Sequence, residues 1–196
     1  SSPAAAPSTS TASSSLKNGK WQSTGIFDDR LEAATHKMMA NALETCMSGG
    51  GTDLMNCVSG ELAQAIDPSG NAKSHCAQQT DADSQFQCAL AGTVIMKLRE
   101  NNGVAMSDSA WSNFDKAMRE ELLAVGIHES FACAKLHGSE GPAFRQCMSA
   151  GVLTKLDVEP AAADPCLGLQ PDEKFGQCVG EAGMISLLEA AAGRSI

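Results

Sequence analysis

The chain has 196 residues, of which 43% are apolar but only 4% aromatic, with no tyrosine, and it carries a net charge of −9. That length fits one ordinary domain or two small ones, and the interior must be built from aliphatic, Ala and Met side chains that each bury little area. The acidic balance disfavours nucleic acid and anionic membrane surfaces and suits a soluble protein or a partner with basic patches.

Residues 1–27, "SSPAAAPSTSTASSSLKNGKWQSTGIF", are dominated by Ser, Thr, Ala and Pro, which cannot make a core. They are expected to form an extended arm laid across a partner and anchored by Trp21, Ile26 and Phe27. With neither an initiating Met nor a charged-then-apolar leader, the expectation is that a targeting segment has been removed. No apolar run approaches the roughly 18 residues of a membrane span; the longest, 88–96, is interrupted by Gly92 and Thr93.

The first helix is predicted over 28–47, ending in "CMSGGGTDLMNC" (46–57), a glycine turn with Thr52 or Asp53 as the next cap. A second helix follows over 53–66. The linker "DPSGNAKS" leads to "CAQQTDADSQFQC" (76–88) and a third helix over 84–101. "NNGVAM" (101–106) joins this half to the next. Apolar residues at Trp111, Phe114, Met118, Leu122, Val125, Ala132, Cys133 and Leu136 predict one long helix over 108–137, capped by Ser107 or Asp108. "HGSEGP" breaks it. Ser139 is a candidate cap, and Pro142 suits the first turn of a helix over 142–156. "EPAAADP" then leads to "CLGLQPDEKFGQC" (166–178), with Pro171 and acidic first-turn residues opening a last helix over 172–192. Small residues follow each second cysteine ("VSG", "ALAG", "MSAG", "VGEAG") and permit close helix approach.

Each cysteine pair therefore brackets a turn between antiparallel helices, a geometry that brings Cα atoms within about 4.4–6.8 Å. The brackets also repeat. Cys46 and Cys133 are 87 apart, and Cys57/Cys147, Cys76/Cys166 and Cys88/Cys178 are each 90 apart. The prediction is an all-α fold: a tandem duplication of a disulfide-stapled three-helix unit, 28–103 and 104–196, behind the 1–27 arm.

Structural zinc wants closer ligand pairs and redox catalysis a Cys-x-x-Cys, neither of which occurs. Four disulfides, preferentially local (46–57, 76–88, 133–147, 166–178), fit better and imply an oxidising compartment. Over 46–88 and 133–178 the pattern resembles the twin Cys-x9-Cys helical-hairpin proteins of the mitochondrial intermembrane space, although the gaps here are 10, 11, 13 and 11 residues. That resemblance implies the rival nested pairing, Cys46–Cys88 with Cys57–Cys76 and the same in the second half, together with an oxidising organelle and a scaffold or assembly role.

No catalytic constellation emerges. His36, His75, His128 and His137 follow no ligand spacing, no Gly-x-Ser-x-Gly elbow or phosphate loop occurs, and the acidic pairs read as helix-start charges. Met38, Met39 and Met47 read as core. Trp111 is an anchor either in the core or at an interface. The sequence thus points to no enzyme, metal or cofactor. It points to an accessory or linker subunit of a large membrane-bound organellar complex of the photosystem–antenna or respiratory/ATP-synthase type. Its location would be the thylakoid lumen or mitochondrial intermembrane space, with a secreted or periplasmic setting as the alternative. The rival function is a lumenal or secreted carrier of a small apolar ligand.

Overall fold

A computed structural model describes residues 23–50, 53–170 and 172–194. Among these the fold is all-α, with no strand. In chain order the helices are α1 (Asp28–Ser48), α2 (Leu54–Ile66), α3 (Asn71–Cys76), α4 (Ala82–Asn101), α5 (Asp108–Ser112), α6 (Phe114–His137) and α7 (Pro142–Lys155). A 3-10 helix, Pro160–Cys166, and α8 (Asp172–Arg194) complete the series.

Local chemistry explains most boundaries. The Asp53 carboxylate accepts the Asn56 N–H at the start of α2, and Asp81 accepts the Ser84 N–H at the start of α4. Pro142 opens α7 as expected, but the cap position belongs to Gly141, not Ser139, and makes no side-chain bond. Thr52 and Pro171 lie outside the described residues. The helix predicted over 108–137 is two helices. Asn113 leaves the helical conformation and its side chain accepts the Lys116 N–H, so a new N-terminus forms in mid-run.

The linkers are also helical, as α3 and the 3-10 helix. Asp67 organises the first of them: its carboxylate accepts the Ala72 N–H at 2.7 Å and the Ser69 N–H at 3.1 Å, which turns the chain directly from α2 into α3.

The packing is reciprocal between the two halves of the sequence. α1 packs against α2 and α8; α6 packs against α7 and α4. α2 also meets α8, as α7 meets α4. Two apolar clusters result, and neither belongs to one half. The first collects Met38, Cys46, Leu62, Ile66, Cys76 and Cys88, closed by Trp111 and by Leu188, Ala191 and Ala192 from the end of α8. The second collects Leu153, Leu156, Cys166, Phe175 and Cys178, closed by Phe27 and by Val94 and Leu98 from the end of α4. α4 and α8 each serve both clusters.

The interior is rich in alanine, as composition requires, but methionine contributes less than expected. Only Met38 is fully buried; Met39 is half-buried and Met47 exposed. Trp111 is a core residue. Its indole stacks on the His75 ring at 4.5 Å between centroids and lies over Gly92, where a Cβ would fall 2.3 Å from Cζ3.

Candidate functional site

All eight cysteines are oxidised, in the local pairing Cys46–Cys57, Cys76–Cys88, Cys133–Cys147 and Cys166–Cys178, with Cα–Cα distances of 5.6–5.8 Å. The nested arrangement implied by the helical-hairpin resemblance does not occur. Gly49 follows α1, Gly138 follows α6, Asp81 caps the start of α4, and the 3-10 helix ends at Cys166 before α8 opens, so each bracket spans a break between two helices. The bridges differ in access. Cys76–Cys88 and Cys166–Cys178 join residues that are buried at both ends, whereas Cys57 and Cys147 are only partly buried residues. Four disulfides belong to an oxidising, non-cytosolic environment. No helix among the described residues is long and apolar enough to cross a membrane.

Of the residues expected to hold a partner, Trp21 lies outside the described residues and Ile26 is 40% exposed. Phe27 is 2% exposed and sits in the second cluster. Its ring packs within its own chain, in a cluster with Phe175, Ala182 and Ile185 of α8, and Arg30 of the first turn of α1 lies over it. The root of the arm is built around Glu181. This α8 carboxylate is 4% exposed and accepts the Thr24 N–H at 2.7 Å and the Thr24 hydroxyl at 2.6 Å. One turn away, Gln177 donates to the same carboxylate at 3.4 Å. Replacing Thr24 with valine removes the hydroxyl donor to a buried acid. The expected loss is about 1–3 kcal/mol, with faster proteolytic cutting between 23 and 28. Unchanged stability and cutting would show that the root is held elsewhere.

The next turn adds an ion pair. Arg30 lies over the Phe27 ring at 5.5 Å, and its Nε donates to Glu189 Oε1 at 2.7 Å. The side-chain hydrogen bond between them raises the Arg30 pKa and lowers that of Glu189, against a smaller opposing effect of burial. A lowered carboxylate pKa adds stability above the unfolded-state value, near 4.3, and that stability is lost as pH falls through the folded-state value. Both side chains are about two-fifths exposed, so screening limits the gain to under about 1 kcal/mol. Glu189→Gln should therefore lower the melting temperature slightly at pH 7, and by progressively less as acid protonates Glu189 in the folded state. An equal loss at pH 7 and in acid would remove the ion pair as the cause.

Across the reciprocal contact, Arg99 on α4 pairs with Glu121 on α6 at 2.6 Å. Arg99 stands 90 residues before Glu189, so the charges on the two helix pairs are exchanged.

Among the described residues no group of three or more His, Cys, Asp or Glu could hold a metal ion. His36, His128 and His137 are exposed, and His75 is taken up by Trp111. Among the clefts that indent the surface, two are open to solvent. One, of about 440 Å³, lies between α1, α2 and the end of α8 and combines Met38 and Ala42 with Glu61 and Arg194. The other, of about 290 Å³, is bordered by Lys97, Asp157, Glu159 and Arg194.

Two features of the arm root, Phe27 and Glu181, are not foreseen, and a sequence signal exists for the first of them alone. Phe27 and Phe114 each stand 19 residues before a first-helix cysteine, Cys46 and Cys133, and each is followed by Asp. Aligning them would have marked Phe27 as a packing residue. Glu181 gives no such signal, because an acid inside an Ala/Gly-rich helix reads as solvent-facing.

Comparison of the chain with protein-family models, with curated proteins and with solved structures finds no match.

Proposed function

We propose that this protein is a non-catalytic brace: an accessory or linker subunit of a large membrane-bound organellar assembly, facing an oxidising compartment. The assembly would be of the photosystem–antenna or respiratory/ATP-synthase type, in the thylakoid lumen or the mitochondrial intermembrane space. The body of the brace is a tandem duplication of a disulfide-stapled helical unit, and the chain before Ser23 is the part that reaches other subunits.

One observation carries the reading. Each apolar cluster is completed by the opposite half of the chain, the first enclosing two disulfides and the second Cys166–Cys178, which favours one stiff body over two hinged ones. Stiffness at low mass is what a spacer between subunits requires. A carrier is less favoured by the two clefts described above, which are open and edged with charge.

The test is native isolation under non-reducing conditions in mild detergent. Co-migration with a membrane complex, lost when residues 1–22 are deleted, is the expected result. A chain that runs alone as a monomer overturns the subunit reading.

A further inference from the structure

All eight cysteines are paired, and no bridge crosses the middle of the chain. Cys46–Cys57 and Cys76–Cys88 lie before the linker 102–107, and Cys133–Cys147 and Cys166–Cys178 lie after it. The backbone of that linker is therefore the one covalent tie between the halves. Yet neither half completes its own core. Val94 and Leu98 of α4 close the second cluster, and Trp111 with the end of α8 closes the first.

The tie is a reversal. Trp111 lies over Gly92, so the chain doubles back between them. The turn is made at Gly103, just past α4, which sits in the left-handed region at φ +70°. Residues 101–105 are all exposed. The Gly103 N–H donates to the Glu100 carbonyl at 3.1 Å and the Val104 N–H to the Arg99 carbonyl at 2.8 Å. These bonds close the end of a helix, and a helix that continued would replace them with its own. With Gly103 helical, α4 would run straight on and carry the second half away from the first half of its own chain.

We propose that two copies of this chain exchange halves across the hinge at Gly103. In the resulting dimer each apolar cluster joins the first half of one chain to the second half of the other. The contacts of α1 with α8 and of α4 with α6 are all kept, now between chains, and no disulfide opens. The two forms differ in the turn at 102–107 and in the entropy of association, which concentration offsets. A short linker that turns on a left-handed residue is the kind of hinge that favours exchange. The partner is fixed by the same geometry, because the opposite half of another copy repeats every contact that the chain's own half makes. The inference goes beyond the subunit reading and does not rest on it.

Arg99 and Glu121 provide the test. They pair across the halves at 2.6 Å, with side chains 15% and 24% exposed. A chain carrying Arg99→Glu sets two acids together, and a chain carrying Glu121→Arg sets two cations together. Each closed monomer and each exchanged homodimer keeps that repulsion. Only an exchanged dimer of one chain with the other meets opposite charges at both places. Copies associating side by side without exchange keep their own like pairs and gain nothing from mixing.

The two oxidised chains are unfolded together in denaturant without reductant, refolded at high concentration and weighed by native mass spectrometry. The mixed dimer is expected to exceed its statistical share about tenfold or more. It should part into single chains in detergent without reductant, each with its four original bridges. Folded material recovered from the mixture alone, where neither chain folds by itself, supports exchange equally. Random mixing, chains joined by disulfides, or monomers at every concentration overturns the inference.

Gly103→Ala, in an otherwise unaltered chain, decides the matter if the charge variants fail even when mixed. Beyond the adjoining residues nothing lies within 4 Å of an added Cβ, so the substitution acts through the backbone alone. Alanine resists the left-handed region, and exchange relieves it at two hinges, so the dimer-to-monomer ratio after refolding should rise about tenfold or more. Gly138→Ala is the control. It imposes the same strain, at φ +79° with equally open space, but inside the loop closed by Cys133–Cys147, where straightening frees no half. It should leave the ratio unchanged. Equal effects of the two substitutions, or none from Gly103→Ala, overturns the inference. Co-migration with a complex in native isolation bears on the subunit reading alone.

Discussion

Replacing Trp111 with alanine should cost about 3–5 kcal/mol, the range for a large buried aromatic. The reason lies in where the indole sits. It belongs to the second half of the sequence, yet it is 9% exposed in the first cluster, stacked on His75 of α3 and lying over Gly92 of α4. Losing it empties the seam between the halves. Gly92→Ala attacks the same contact from the other side, because its methyl would lie 2.3 Å and 2.6 Å from two indole carbons. A rigid ring held on both faces cannot step aside, and overpacking of this kind costs about 1–3 kcal/mol. The double variant should be far less unstable than the sum, since without the indole the added methyl meets nothing. A strongly negative coupling in this cycle is the signature of direct contact. Calorimetry should show every variant melting in one transition, displaced by roughly 2–4 °C per kcal/mol for a chain of this size. Two resolved transitions, with only the first half affected, would refute the shared cores.

Oxidation state should have the second large effect. A closed loop of about a dozen residues is worth roughly 3 kcal/mol in the chain-entropy model. Four such loops, even discounted for overlap, match the 5–15 kcal/mol total stability typical of a domain. The fully reduced chain is therefore expected to lose its cooperative fold at ambient temperature, as far-UV circular dichroism and hydrogen exchange would report. Reduction should also proceed in order. Cys46–Cys57 and Cys133–Cys147 each include one partly buried residue, Cys57 and Cys147, whereas both residues of Cys76–Cys88 and of Cys166–Cys178 are buried near the starts of α4 and α8. In dilute reductant without denaturant, stepwise alkylation and peptide mapping should find the first two bridges open while the molecule is still folded, and the last two open only with unfolding. If Cys166–Cys178 opens first, access does not set the order. Removing that bridge alone by a paired Cys→Ser change should cost about 3 kcal/mol. A native-like melting temperature in that variant would leave packing, not cross-linking, as the main support of the second cluster.

Much of this architecture is legible in the sequence because it rests on local rules. Helix ends follow Asp53, Asp81 and Pro142, whose effects act within one turn. The cysteine pairing follows from glycines and caps inside each bracket, which fix the bend wherever the rest of the chain lies. The break at Asn113 was not foreseen. The apolar spacing runs through it without interruption, and only a side-chain bond to the Lys116 N–H divides the helix. The helical linkers were missed for a similar reason: α3 is six residues long and the 3-10 segment seven, too short for periodicity to register.

The composition of the arm describes residues in bulk, while Thr24 is held by two hydrogen bonds to Glu181 of α8, 157 positions away, and Phe27 by packing in the second cluster.

Left to itself, then, the amino-acid order determined the helical class, the turns, the local bridging of cysteines and the spacing of 87 to 90 between corresponding brackets. Tertiary structure alone decided which helix of one half packs on which helix of the other. That choice made Phe27 and Trp111 core residues and left the Leu123–Ile127–Phe131 row of α6 outside. The physical reason is that helix propensity, caps and short loops act between near neighbours, whereas the burial of an apolar row depends on which distant surface reaches it first.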